Sequence, residues 1–150
     1  KEIYSNIKAM KGSEWTEGFA DKVYEDVKKH KYFITNLGKC TQVDARELPD
    51  IVFKKYVHLL KQEFDIIKPK VIILFGNQVS SIVLDEKIAV SQVRRKCFTR
   101  TINGCEYKFY SVYYPVGNGR FNIDKAIQDI KWIMDHENIT DYLDHKNCCL

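Results

Sequence analysis

Between Pro69 and Gly76 the chain carries Val71-Ile72-Ile73-Leu74-Phe75, apolar at every position. A strand with one wet face alternates apolar and polar residues. A strand without that alternation needs cover on both faces, as in a parallel sheet held between helices. The run is far too short to cross a bilayer. Proline before it and glycine after it fix where the strand begins and ends.

The flanking segments supply the helices that such a strand requires. Val52, Tyr56, Leu59, Leu60, Phe64 and Ile67 form one apolar stripe, which predicts a long helix over residues 50–67 opened by Pro49 or Asp50. Residues 78–84 read as a further helix. Thr16 suits the cap of a helix reaching about His30, because Phe19, Val23 and Val27 recur every four positions. Ile123, Ala126, Ile127, Ile130 and Ile133 predict a last helix over residues 123–136, and residues 1–10 read as a short first one.

Tyr32-Phe33-Ile34-Thr35-Asn36 is β-branched and aromatic and predicts a strand, followed by a polar loop over residues 38–48. Residues 97–102 and 106–114 predict two more strands. Asn103-Gly104 between them is a hairpin signal, since both residues tolerate positive φ. The resulting order of elements predicts a single domain over residues 1–150, a three-layer α/β/α sandwich around a central, largely parallel sheet. Ligands in such folds bind beyond the carboxyl ends of the strands. Two loops leave those ends with unusual chemistry, one after Asn36 and one after Val112-Tyr113-Tyr114.

Composition bounds the function. The chain has 150 residues, 45% of them hydrophobic and 29% charged, an ordinary balance for one domain with a sizeable core. A formal charge of +4 permits a polyanionic partner without requiring one. Cys40, Cys97, Cys105, Cys148 and Cys149 are odd in number and match no disulfide or zinc spacing, so reduced thiols are expected. Neither a signal peptide nor a prenylation box is recognisable, and Asn138-Ile139-Thr140 is a formal sequon expected to be silent. His30, His58, His136 and His145 stand outside any motif. His145 near Cys148 and Cys149 is a weak metal pattern, and no bound metal is expected.

Four segments, in order, resemble the uracil-DNA glycosylase superfamily, and most closely its branch of thermostable uracil glycosylases and hypoxanthine glycosylases. Tyr32-Phe33-Ile34-Thr35-Asn36-Leu37-Gly38-Lys39-Cys40 is similar to the family's ITN…KC strand and loop. The stretch from Glu63 through Pro69-Lys70-Val71 to Gly76 resembles its EI…PKVIV…LG segment. Residues 90–95 resemble the following I…RG, and residues 112–120 the YHP loop before the final helix. The likeness covers residues 32–134. Three departures accompany it. Nothing matches the family's first motif, which in several branches positions the attacking water and belongs near Lys11-Gly12-Ser13-Glu14. Tyr114 replaces the usual histidine. The cysteines of the iron–sulfur members are not reproduced beyond Cys40.

The resemblance implies a glycosylase that flips a deaminated base, uracil or hypoxanthine, out of DNA and hydrolyses its N-glycosidic bond in base excision repair. It implies Asn36 as reader of the base edge, a carboxamide offering one acceptor and two donors. By residue type alone Asn36 is a turn or strand-end residue. Tyr114 takes the leaving-group position, where a phenol can donate to the departing anion but brings no positive charge. A rim or core tyrosine is an equal reading. Gly117 and Gly119 let backbone N–H groups approach the base or a phosphate, with Pro115 and Asn118 beside them; a plain turn is the alternative. Lys39, Arg120, Arg94 and Arg95 are candidate phosphate contacts or simply a solvated face. The chemistry needs no cofactor. The expected partner is DNA carrying a deaminated base, with no membrane association, a monomeric state and a cytoplasmic, nucleoid-associated or nuclear setting. The competing expectation is a catalytically impaired protein of the same fold that binds nucleic acid or a protein partner.

Overall fold

A computed structural model describes residues 16–30, 32–41, 43 and 48–139 of the protein. The expected first helix, the Lys11–Glu14 segment, the sequon threonine and the tail with His145, Cys148 and Cys149 lie outside the described residues. The chain divides into two compact units, Lys1–Thr35 with Asp141–Leu150, and Asn36–Thr140.

In the first unit, α1 (Glu17–Lys29) starts where its cap predicts. The Thr16 hydroxyl accepts the Phe19 N–H at 3.3 Å, and Glu17 at the start with Lys28 and Lys29 at the end complement the helix dipole. His30 closes the helix by donating from Nδ1 to the Asp26 carbonyl at 2.8 Å, and its ring stacks on Tyr32. Residues 32–36 are not part of any strand, contrary to the expectation. Phe33 and Ile34 are 58% and 73% exposed. β propensity reflects fit to a pleated, half-buried surface rather than a preference of the backbone itself, and these side chains are not on one.

The second unit is an α/β structure built on three strands in the order β1-β3-β2: β1 (Ile72–Phe75), β2 (Cys97–Ile102) and β3 (Cys105–Val112). β1 runs parallel to β3, with Ile72 opposite Phe109 and Phe75 opposite Val112. β2 pairs antiparallel with β3, Cys97 opposite Tyr110 and Ile102 opposite Cys105. Asn103 (φ 50°) and Gly104 (φ 80°) make the two-residue turn between them. A two-residue link joins only antiparallel neighbours, so this turn is what makes the sheet mixed where a largely parallel one was expected.

The apolar run behaves as its sequence requires except at its last residue, Phe75, which is 36% exposed. Ile72 and Leu74 enter one core cluster with Leu60, Phe64, Ile82 and Phe109, while Val71 and Ile73 pack with Tyr110, Val112 and Ile133 in a second. Successive residues of a strand face opposite ways, so the two clusters cover the two faces of the sheet. Phe109, Tyr110 and Val112 are fully buried. Each such side chain contributes roughly 1.5–3 kcal/mol of burial free energy.

The helices expected over residues 50–67, 78–84 and 123–136 are present, with one interruption. The long helix is divided into α2 (Asp50–Lys54) and α3 (Val57–Ile67). At the break the Tyr56 N–H reaches back only three residues, to the Phe53 carbonyl at 2.9 Å. The face that packs is Phe53, Val57, Leu60 and Phe64, whereas Ile67 is 37% exposed. Spacings of four, three and four place those residues on one stripe as well as the expected set does. Lys68 ends α3 in the left-handed region (φ 48°) before Pro69. Next come α4 (Asn77–Leu84), the short α5 (Val90–Val93), a 3-10 helix (Gly117–Asn122) and α6 (Ile123–His136). No helix among the described residues is long and apolar enough to cross a membrane.

Just past α6, Glu137 ties the helix end to the sheet. Its buried carboxylate accepts from Tyr110 Oη at 2.5 Å and from Lys108 Nζ at 2.8 Å, and its carbonyl accepts from Lys70 Nζ at 2.9 Å. Hydrogen bonding to Lys108, then to Tyr110, holds the carboxyl below its ordinary value of 4.5. Burial, reinforced by Glu137, pushes the Tyr110 phenol well above its ordinary value of 10.0. A depressed carboxyl contributes stability above its unfolded value, lost as the pH falls through the folded one. A raised phenol contributes stability below its unfolded value, lost as the pH rises. Urea unfolding across pH is therefore expected to show stability falling below about pH 4.5 and again above about pH 10. Glu137→Gln should flatten the acid limb and Tyr110→Phe the alkaline one. Unchanged limbs in both variants would refute this assignment.

Candidate active site

β1 and β3 run in the same direction and end side by side, with the Gly76 N–H donating to the Val112 carbonyl at 2.8 Å. At these carboxyl ends the chain leaves β3 through Tyr113, Tyr114, Pro115 and Val116 into the 3-10 helix. Two glycines hold Tyr114 there. Gly76 adopts φ 87°, and a Cβ on it would lie 3.2 Å from Tyr114 Cβ. A Cβ on Gly119 would lie 1.9 Å from the Tyr114 carbonyl oxygen, which no side chain can tolerate. The Gly119 N–H donates to the Val116 carbonyl at 2.9 Å, closing the turn. The backbone of Tyr114 is thus clamped while its side chain stays 54% exposed. The resulting surface carries a phenol at the place where open α/β sheets hold their ligands. Phe121 is exposed to 80%, with the Arg120 guanidinium 5.0 Å from its ring centroid. Gly117 and Asn118 belong to the same 3-10 helix.

Asn36 is exposed and belongs to the same unit as this turn. The next residue, Leu37, is buried in the first core cluster, which anchors the segment that presents Asn36. Gly38 packs against the Phe53 ring. Lys39 Nζ lies 2.6 Å from Glu63 Oε1, an ion pair between this segment and α3.

Arg94 and Arg95 are placed differently from the sequence expectation of an open phosphate track. Both converge on Asp129 of α6, whose side chain is fully buried. Arg94 grips it with two bonds, Nε to Oδ2 at 2.7 Å and Nη2 to Oδ1 at 3.0 Å, and Arg95 Nε reaches Oδ1 at 3.1 Å. Neighbouring residues of an extended chain point apart. Arg95 instead takes φ 60°, a left-handed turn that lets the pair converge on one carboxylate. Arg100 of β2, five residues beyond Arg95, pairs with Glu86 at 2.9 Å.

Sequence reasoning missed Asp129 and Phe121. The signal for Asp129 was present: it stands three residues after Ala126 and four before Ile133, on the face of α6 that is buried. Phe121 had no periodic partner to reveal it. Among the described residues no group of three or more His, Cys, Asp or Glu side chains is arranged to hold a metal ion.

The sequence model of the Uracil DNA glycosylase superfamily matches residues 6–131. The chain belongs to that superfamily, whose members are glycosylases acting on DNA. Among curated proteins none matches at a significant level.

Proposed function

We propose that the protein is a monofunctional DNA glycosylase that removes a deaminated base, uracil or hypoxanthine, in the manner of the thermostable and hypoxanthine-removing branch, within a single three-layer α/β/α domain. The observation that carries this reading is the clamped Tyr114 turn at the carboxyl ends of β1 and β3 in a chain of this superfamily.

The reaction needs three things: a reader for the flipped base, a donor for the leaving base, and a hold on the backbone. Asn36 is exposed and pre-positioned by Leu37, so its carboxamide is free to pair with the amide-like edge of uracil or hypoxanthine. The Tyr114 hydroxyl donates a hydrogen bond to the base oxygen as negative charge builds during cleavage of the C–N bond. Backbone N–H groups of the Gly117-Asn118-Gly119 turn reinforce that donation, with Pro115 shaping the turn. Arg120 contacts phosphate, whereas Lys39 is held by Glu63. Water attacks the sugar carbon as the base leaves, and the proton it releases completes the base.

The test is release of base from oligonucleotides holding one uracil or one hypoxanthine, read as alkali-labile abasic sites. The native chain is expected to form them, and Asn36→Ala to slow formation by about 10- to 100-fold, the cost of losing one two-bond contact to a base edge. Absence of abasic sites with both bases would overturn the catalytic reading. The second reading, a glycosylase-fold protein that binds without cleaving, is favoured by Tyr114 at the position of a histidine. It predicts binding without release in that assay.

A further inference from the structure

We propose that this protein binds single-stranded DNA in preference to duplex, through a stacking surface made by Tyr113, Tyr114 and Phe121 with Arg120 and Lys125. This deepens the nucleic-acid part of the reading above and rests on it only for the class of partner. Two independent observations carry it.

The first is the chemistry of the surface. Phe121 and Tyr114 are 80% and 54% exposed, two large aromatic side chains left open on one loop. Cations accompany the rings: Arg120 lies 5.0 Å from the Phe121 centroid, and Lys125 Nζ 5.5 Å from that of Tyr113. Arg120 pairs with no carboxylate among the described residues. The open rings of Tyr114 and Phe121, with Arg120 beside them, suit unpaired bases, whose faces stack while their phosphates meet the charge. In a duplex those faces are covered by neighbouring base pairs.

The second is what the remaining cations do. Gripping a duplex needs charges directed at two backbones across a groove. Most of the basic residues that could form such a track are ion-paired within the fold. Arg94 and Arg95 share Asp129, Arg100 pairs with Glu86, Lys108 with Glu137 and Lys39 with Glu63.

The experiment is fluorescence anisotropy with a labelled, undamaged DNA strand of about 15 nucleotides, alone or annealed to its complement, using the whole chain. Undamaged DNA separates binding from catalysis. The single strand is expected to bind at least about ten-fold more tightly, with a log–log salt slope of only about −1 to −2, the signature of two or so phosphates. Phe121→Ala should weaken single-strand binding by about ten-fold, leave duplex binding unchanged, and be restored by Phe121→Tyr. A circular dichroism melt matching the native chain excludes loss of fold as the cause. Duplex binding as tight as single-strand binding, or an unaffected Phe121→Ala, overturns the proposal. If this pattern holds while no base is released from any substrate, strand preference stands and the glycosylase reading alone falls.

Discussion

Asp129→Ala is expected to be the most destabilising single substitution in the second unit, lowering stability by about 3 kcal/mol and the melting temperature by about 10 °C. The carboxylate is fully buried and meets three guanidinium N–H groups from two consecutive arginines. Removing it leaves two positive charges facing each other with nothing between them. Arg94 and Arg95 are 30% and 43% exposed, so both can partly rehydrate, which places the cost at the lower end of the range for a broken buried pair. The left-handed backbone at Arg95 adds a cost of about 1 kcal/mol that convergence on Asp129 offsets in the native chain and nothing offsets in the variant. Asp129→Asn keeps the shape and one acceptor and should recover part of the loss. The measurement is thermal unfolding by circular dichroism. A variant melting within about 2 °C of the native chain would show that the cluster is not a structural strut.

That cluster also marks where the sequence stops being informative. The apolar run at Val71–Phe75 was legible because covering both faces of a strand leaves no polar position, and Asn103-Gly104 was legible because few dipeptides accept two positive φ values. Family membership was legible from the order of four short segments, each weak alone. The strand expected at residues 32–36 did not form, since propensity cannot say whether a ladder partner is present. The break at Lys55–Tyr56 was hidden because the apolar spacing there fits both one helix and two. Arg94-Arg95 looks like a solvated basic run in any sequence; only the fold brings a buried carboxylate from 34 residues later beneath it. The clamp on Tyr114 was half legible. Glycines at 117 and 119 announced a turn, but the contact that makes Gly119 obligatory depends on a carbonyl position no sequence pattern records.

Gly119→Ala should therefore separate activity from stability more sharply than any other change near the turn. The added methyl would lie 1.9 Å from the Tyr114 carbonyl oxygen and 2.9 Å from its carbon, both backbone atoms that cannot rotate away. The 3-10 helix and Tyr114 must move apart, by an ångström or more. Displacements of that size at a reacting group cost about 100-fold in rate. The strain falls on an exposed turn rather than the sheet, so the loss of global stability should stay near about 1–3 kcal/mol, as for overpacking elsewhere. Gly18→Ala is the control: nothing lies within 4 Å of its Cβ, it sits inside α1, and alanine there should raise stability by about 0.5–1 kcal/mol with no effect on rate. Single-turnover base release and thermal melting, measured on both variants, decide the matter. Native-like release by Gly119→Ala would mean that the position of Tyr114 is irrelevant to the reaction, and the role given to its hydroxyl would have to be abandoned.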